Sequence, residues 1–91
     1  MTPRQIDLAR HALGLPNNQR VSYRNRFVAG KGHFDYEDWC AMVQAKDAIV
    51  AAGEHLLMGS DDYFYLTLQG AKKAILPGES LDREDFPAAV A

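Results

Sequence analysis

The chain has one cysteine, Cys40, so no internal disulfide can staple it and no multi-cysteine zinc site can form. Packing alone must hold the fold together. Long apolar runs are also missing: none approaches the roughly twenty residues of a membrane span. The start, Met1-Thr2-Pro3-Arg4-Gln5, lacks the apolar stretch of a secretory signal. His11, His33 and His55 are scattered, with no H-x-x-x-H pair, and the acidic clusters contain no D-x-D-x-D-G calcium loop. A Walker loop is absent as well, because Lys31 of Gly30-Lys31-Gly32 is followed by glycine and not by a hydroxyl residue. No nucleophile, base and electrophile are grouped together. The expectation is a protein that is not an enzyme and needs neither cofactor nor metal.

What is present is an ordinary globular mixture. Ninety-one residues, 47% apolar and 24% charged, suit one small domain with a thin core. Residues 1–78 are expected to form that domain, with 79–91 as a frayed C-terminal tail. The formal net charge of -2 conceals an asymmetry. Residues 1–34 carry six basic side chains against Asp7 alone, a net of +5, and residues 35–91 carry four basic and eleven acidic, a net of −7. Such a split suggests one basic and one acidic face.

Local patterns mark the elements. Thr2-Pro3-Arg4-Gln5 reads as a capping box, Ile6, Ala9 and Leu13 form an apolar stripe, and Gly14 with Pro16 ends the helix, giving 3–13. Ser22 can cap a short helix over Tyr23–Ala29, with Tyr23 and Phe27 at i, i+4; the same alternation permits a strand. Asp35 reads as the cap of a helix over 36–46, in which Tyr36, Trp39, Cys40 and Val43 share one face. Ala48-Ile49-Val50-Ala51 is a short apolar run. Leu56-Leu57-Met58 and Tyr63-Phe64-Tyr65-Leu66 flank Gly59-Ser60-Asp61-Asp62, the composition of a β-hairpin. Thr67 then caps a last helix through Leu68, Ala71 and Ile75, closed by Pro77-Gly78. The most economical core anchor is Trp39, with Tyr36 and Phe34.

The expected class is therefore mainly α with a small β-hairpin, in the order helix, helix, helix, hairpin, helix, as in a winged helix-turn-helix. The run Tyr63-Phe64-Tyr65-Leu66-Thr67-Leu68-Gln69-Gly70 resembles the passage where a wing's last strand enters the final helix of such domains. A broader resemblance runs from about residue 5 to residue 76. Ala9-Arg10-His11-Ala12-Leu13-Gly14-Leu15-Pro16, Ser22-Tyr23-Arg24-Asn25-Arg26-Phe27, Gly32-His33, Asp35-Tyr36, Trp39 and Met42-Val43 carry it. Together they look like a group of small proteins encoded by tailed phages and prophages. That likeness implies a phage or prophage origin and the cytoplasm of a bacterial host, and no particular activity.

The first candidate site is Arg20, Arg24, Asn25, Arg26 and Lys31, where arginine forks suit phosphates, Asn25 suits a base or backbone group, and Tyr23 and Phe27 offer stacking rings. The partner it suggests is nucleic acid or a nucleoprotein. Orthodox major-groove reading by helix 36–46 is disfavoured, because Asp35, Glu37 and Asp38 in its first turn would repel a duplex. A rival expectation is an inhibitor of a host protein complex, anti-CRISPR-like. Its acidic Asp35, Glu37, Asp38, Asp61 and Asp62 would mimic phosphates, and Tyr63 and Tyr65 would offer contact area. A third is a homodimer joined through those exposed tyrosines.

Overall fold

The computed structural model describes residues 1–30, 32–52 and 61–87. Among them the chain runs α1 (Pro3–Leu13), β1 (Phe27–Ala29), α2 (Tyr36–Gln44), β2 (Ala48–Ala52), β3 (Asp62–Leu66) and α3 (Leu68–Ala74). This is an α+β arrangement: three helices and a three-stranded antiparallel sheet in the order β1-β3-β2.

α1 fills its expected span because local groups satisfy both ends. The Thr2 hydroxyl accepts from the Gln5 amide at 3.1 Å, and the Gln5 side chain accepts from the Thr2 amide at 3.1 Å. Gly14 takes the left-handed cap with φ 80, and a Cβ there would lie 2.2 Å from the Tyr23 ring. Glycine is required at this cap both by backbone angle and by space.

The short helix expected over 22–29 does not form. Residues 22–26 are extended and lead into β1. Asn25 supplies the reason: its side-chain amide donates to the Leu66 carbonyl at 3.1 Å and its side-chain oxygen accepts from the Leu66 amide at 2.8 Å. A side chain thus continues the β1–β3 ladder beyond the Phe27↔Phe64 pair. Positions i and i+4 share a face in a helix and in a strand alike, so the Tyr23–Phe27 spacing does not separate the two. The element order becomes helix, strand, helix, strand, strand, helix.

α2 starts where expected and stops two residues early, at Gln44, with Lys46 at φ 66 turning the chain. Asp35 precedes it but makes no side-chain cap hydrogen bond, since its carboxylate is taken by Arg4. The strand partner of β3 is the run Ala48–Ala52, paired from Ala48↔Leu66 to Ala52↔Asp62. The strand expected at Leu56–Met58 and the turn residues Gly59 and Ser60 lie outside the described residues. Thr67 caps α3 by accepting from the Gly70 amide at 3.1 Å. Gly70 is buried so tightly that a Cβ would meet the Asp47 carbonyl oxygen at 2.0 Å.

The core lies between the helices and the inner face of the sheet. Trp39 stacks on Phe64 with centroids 5.4 Å apart and leans on Phe27 at 5.1 Å, above Leu13 and Met42. Ala9, Ala12, Ala71 and Ala74 are fully covered, small side chains where α1 meets α3. Phe34 is no part of this anchor; it is 74% exposed, stacked on His33 and capped by Arg4. Nor is the described part of the expected tail frayed. Ser80 bridges to Val21, the Asp82 amide donates to Ser22 Oγ at 2.8 Å, and Leu81 and Phe86 enter the core. Burial of these two apolar side chains joins the Ser22 hydroxyl and the backbone bonds of Ser80 with Arg20 and Ser22 in docking residues 79–87. No helix among the described residues is long and apolar enough to cross a membrane.

Candidate functional site

Part of the charge asymmetry of the sequence is resolved within the molecule. Arg4 binds Asp35 at 2.5 Å and Asp38 at 2.7 Å, joining α1 to the first turn of α2. Arg10 forks onto Glu79 at 2.5 and 2.8 Å and also donates to the Ala74 carbonyl at 3.0 Å. The Arg10 hydrogen bond is the main reason that Glu79 is held down to about 2, and the same contact raises Arg10. Two of the six basic residues of the first third are thereby neutralised by acids of the later segments.

Arg24 and Arg26 are different. Neither makes a salt bridge among the described residues, and both are exposed. Alternation along the extended segment puts Arg24, Arg26 and Val28 on the outward side and Asn25, Phe27 and Ala29 inward. The two arginines therefore share an open groove of about 560 Å³ with His11 and Tyr65. Arg24 is fixed there by the C-terminal end of α1: its Nε and one terminal nitrogen donate to the His11 carbonyl at 3.2 and 2.7 Å. That carbonyl belongs to the last turn, where the helix terminus is negative, and it accepts from the Gly14 amide at 3.1 Å as well as from Arg24. The rest of the guanidinium fork stays available. Arg26 reaches across the sheet to lie 5.9 Å from the Tyr63 ring centre.

The groove continues onto the outer face of the sheet. Tyr63 and Tyr65 point outward from β3 while Phe64 and Leu66 are buried beneath it. Val28 lies opposite Tyr63, and Ile49 lies opposite Tyr65. Val28, Ile49 and Tyr63 are all exposed. One acid works against anion binding: Asp85 also lines the groove, and burial first, then neighbouring Asp82, pushes its carboxyl up.

The remaining expected residues are placed elsewhere. Arg20, at φ 58 in a turn closed by Asn17, lies beside Gly78 in a separate groove with Arg10, Asn18 and Glu79. Asn25 spends its side chain on the Leu66 backbone and is structural. Lys31 lies outside the described residues. Of the acidic set, Asp35 and Asp38 hold Arg4, and Asp62 accepts from the Tyr36 hydroxyl at 2.7 Å. That last contact, with burial second, pushes Tyr36 up to about 12. Glu37 is exposed, and Asp61 sits against Gly30. Of the five carboxylates expected to mimic phosphates, Asp35, Asp38 and Asp62 thus have partners within the chain. His11, Val28 and Asp85 are the groove residues that sequence reading misses, and none carries a local signal. No three His, Cys, Asp or Glu side chains converge as metal ligands among the described residues.

No protein-family model, curated protein or solved structure matches the chain.

Proposed function

We propose that this chain is a non-catalytic, winged-helix-like accessory protein of phage type that binds nucleic acid, directly or within a nucleoprotein, through the groove of Arg24, Arg26 and His11. One observation carries the proposal. Two guanidinium groups with no carboxylate partner among the described residues converge on one groove, while Arg4 and Arg10 are each tied to acids. Arginine forks of this kind match phosphate oxygens, and charge-assisted contacts to them are stronger than neutral ones.

The winged-helix part of the proposal draws on the β1-β3-β2 sheet order and on β3 entering a Thr-capped helix. A single described helix, α2, stands between β1 and β2 where a helix-turn-helix carries two. Contact with nucleic acid is accordingly assigned to the groove and not to a recognition helix. The phage setting rests on the sequence resemblance alone. The rival, an acidic inhibitor of a host complex, draws less support because Asp35, Asp38 and Asp62 are engaged internally.

A salt titration tests the reading. With two or three phosphates engaged, the binding constant of a labelled oligonucleotide should fall with salt at a log–log slope of about −1 to −3. Absence of any binding at about 50 mM salt removes the proposal.

A further inference from the structure

We infer that the nucleic acid accepted here is single-stranded, with its bases stacked on the outward rings of Tyr63 and Tyr65; the inference rests on the anion-binding reading above and specifies its ligand. Three features favour an unpaired strand. The two rings occupy successive outward positions of β3, which a strand separates by roughly 6.8 Å. Stacked neighbours along one strand of a duplex are only about 3.4 Å apart. A pair of rings at twice that spacing suits bases that have been splayed apart, one to each ring, and a duplex does not offer its base faces at all.

Charge is placed to match. Arg26 lies over the Tyr63 ring, 5.9 Å from its centre, and Arg24, held by the His11 carbonyl, lines the same groove as Tyr65. A base on Tyr65, or on the face of Tyr63 that Arg26 does not cover, brings its own phosphate toward a guanidinium that has no salt bridge among the described residues, with Asp85 as the competing carboxylate in the groove. Rings for the bases beside fixed cations for the backbone are the combination by which single strands are held without sequence preference. Val28 and Ile49, exposed opposite the tyrosines, provide an apolar border that keeps the bases out of water.

The test is equilibrium binding of the intact protein to three labelled probes of one length: oligothymidylate, its duplex with oligoadenylate, and an abasic strand. Polyglutamate serves as competitor. Oligothymidylate should bind at least about tenfold more tightly than the duplex or the abasic strand, since each stacked ring contributes about 5- to 150-fold. Tyr63→Leu and Tyr65→Leu should each lose a factor in that range on oligothymidylate and leave abasic binding unchanged, and Tyr65→Phe should bind as the parent does. Both tyrosines are on the outer face, and thermal unfolding of each variant confirms that the fold is kept. Duplex or abasic binding as tight as oligothymidylate, with the salt dependence intact, overturns stacking while leaving the anion groove standing. Competition by polyglutamate as strong as by oligothymidylate overturns it in favour of an acidic protein. No binding of any probe overturns both.

Discussion

Replacing Glu79 by Gln removes one charge from a pair that closes the C-terminal segment onto α1. The pair is well covered, with side chains 12% and 8% exposed for Arg10 and Glu79. Glu79 also accepts from the Leu76 amide at 2.7 Å, so it fixes the chain just beyond α3. Its carboxyl is lowered from 4.5 to about 2, chiefly by the Arg10 hydrogen bond. A lowered carboxylate contributes stability that is complete above the unfolded value and is lost as pH falls through the folded one. Here that window runs from about 4.5 down to about 2. At about 1.4 kcal/mol per pH unit, the contribution at neutral pH is up to about 3 kcal/mol. Urea unfolding of parent and Glu79→Gln between pH 7 and pH 2 measures it. The variant should be less stable by about 2–3 kcal/mol near neutrality, and the gap should close across the stated window. A gap of the same size at every pH, or none at pH 7, would refute the reasoning.

Gly70→Ala drives a Cβ into the Asp47 carbonyl oxygen 2.0 Å away, so α3 must lift from the α2–β2 turn. A loss of about 1–3 kcal/mol, read as a fall in Tm of several degrees, is expected. Asn25→Ala leaves the Leu66 amide and carbonyl without their side-chain partners and should cost about 2–3 kcal/mol in denaturant unfolding. At temperatures where this variant stays folded, oligonucleotide affinity should match the parent's, because Asn25 borders the groove but spends both side-chain polar groups on the Leu66 backbone; a selective loss of affinity would make it a contact residue after all. Asp85→Asn removes the one carboxylate that lines the arginine groove among the described residues. It should tighten oligonucleotide binding severalfold in equilibrium titrations, and the parent should tighten as pH falls toward the raised value of that carboxyl.

The parts of the fold that are legible in the sequence are those whose cause is local. The Thr2–Gln5 box and the Gly14 cap set both ends of α1, and Thr67 with Gly70 sets the start of α3, all within a few residues of the groups they satisfy. The outward set of tyrosines is legible too as a pair, since period-two alternation forces Tyr63 and Tyr65 to share a face, though not which face. The strand at β1 is not, because what selects it is a clasp between Asn25 and a backbone forty-one residues on. For the same reason Arg4 and Arg10 count as free charge in the sequence and as internal ties in the fold. A basic segment does not reveal which of its members has a partner. The docked tail follows this rule as well: Leu81 and Phe86 sit among charges that read as solvent-facing, and only the covered core shows where they go.

Whether Arg24 and Arg26 grip phosphates can be read from the salt slope of oligonucleotide binding in the Arg24→Gln, Arg26→Gln double variant, with Arg20→Gln as the comparison. If the groove is the contact, the double variant should lose affinity at about 50 mM salt and its log–log slope should flatten by about 1.4–1.8, whereas Arg20→Gln should keep most of both. An unchanged slope and affinity in the double variant would contradict the account.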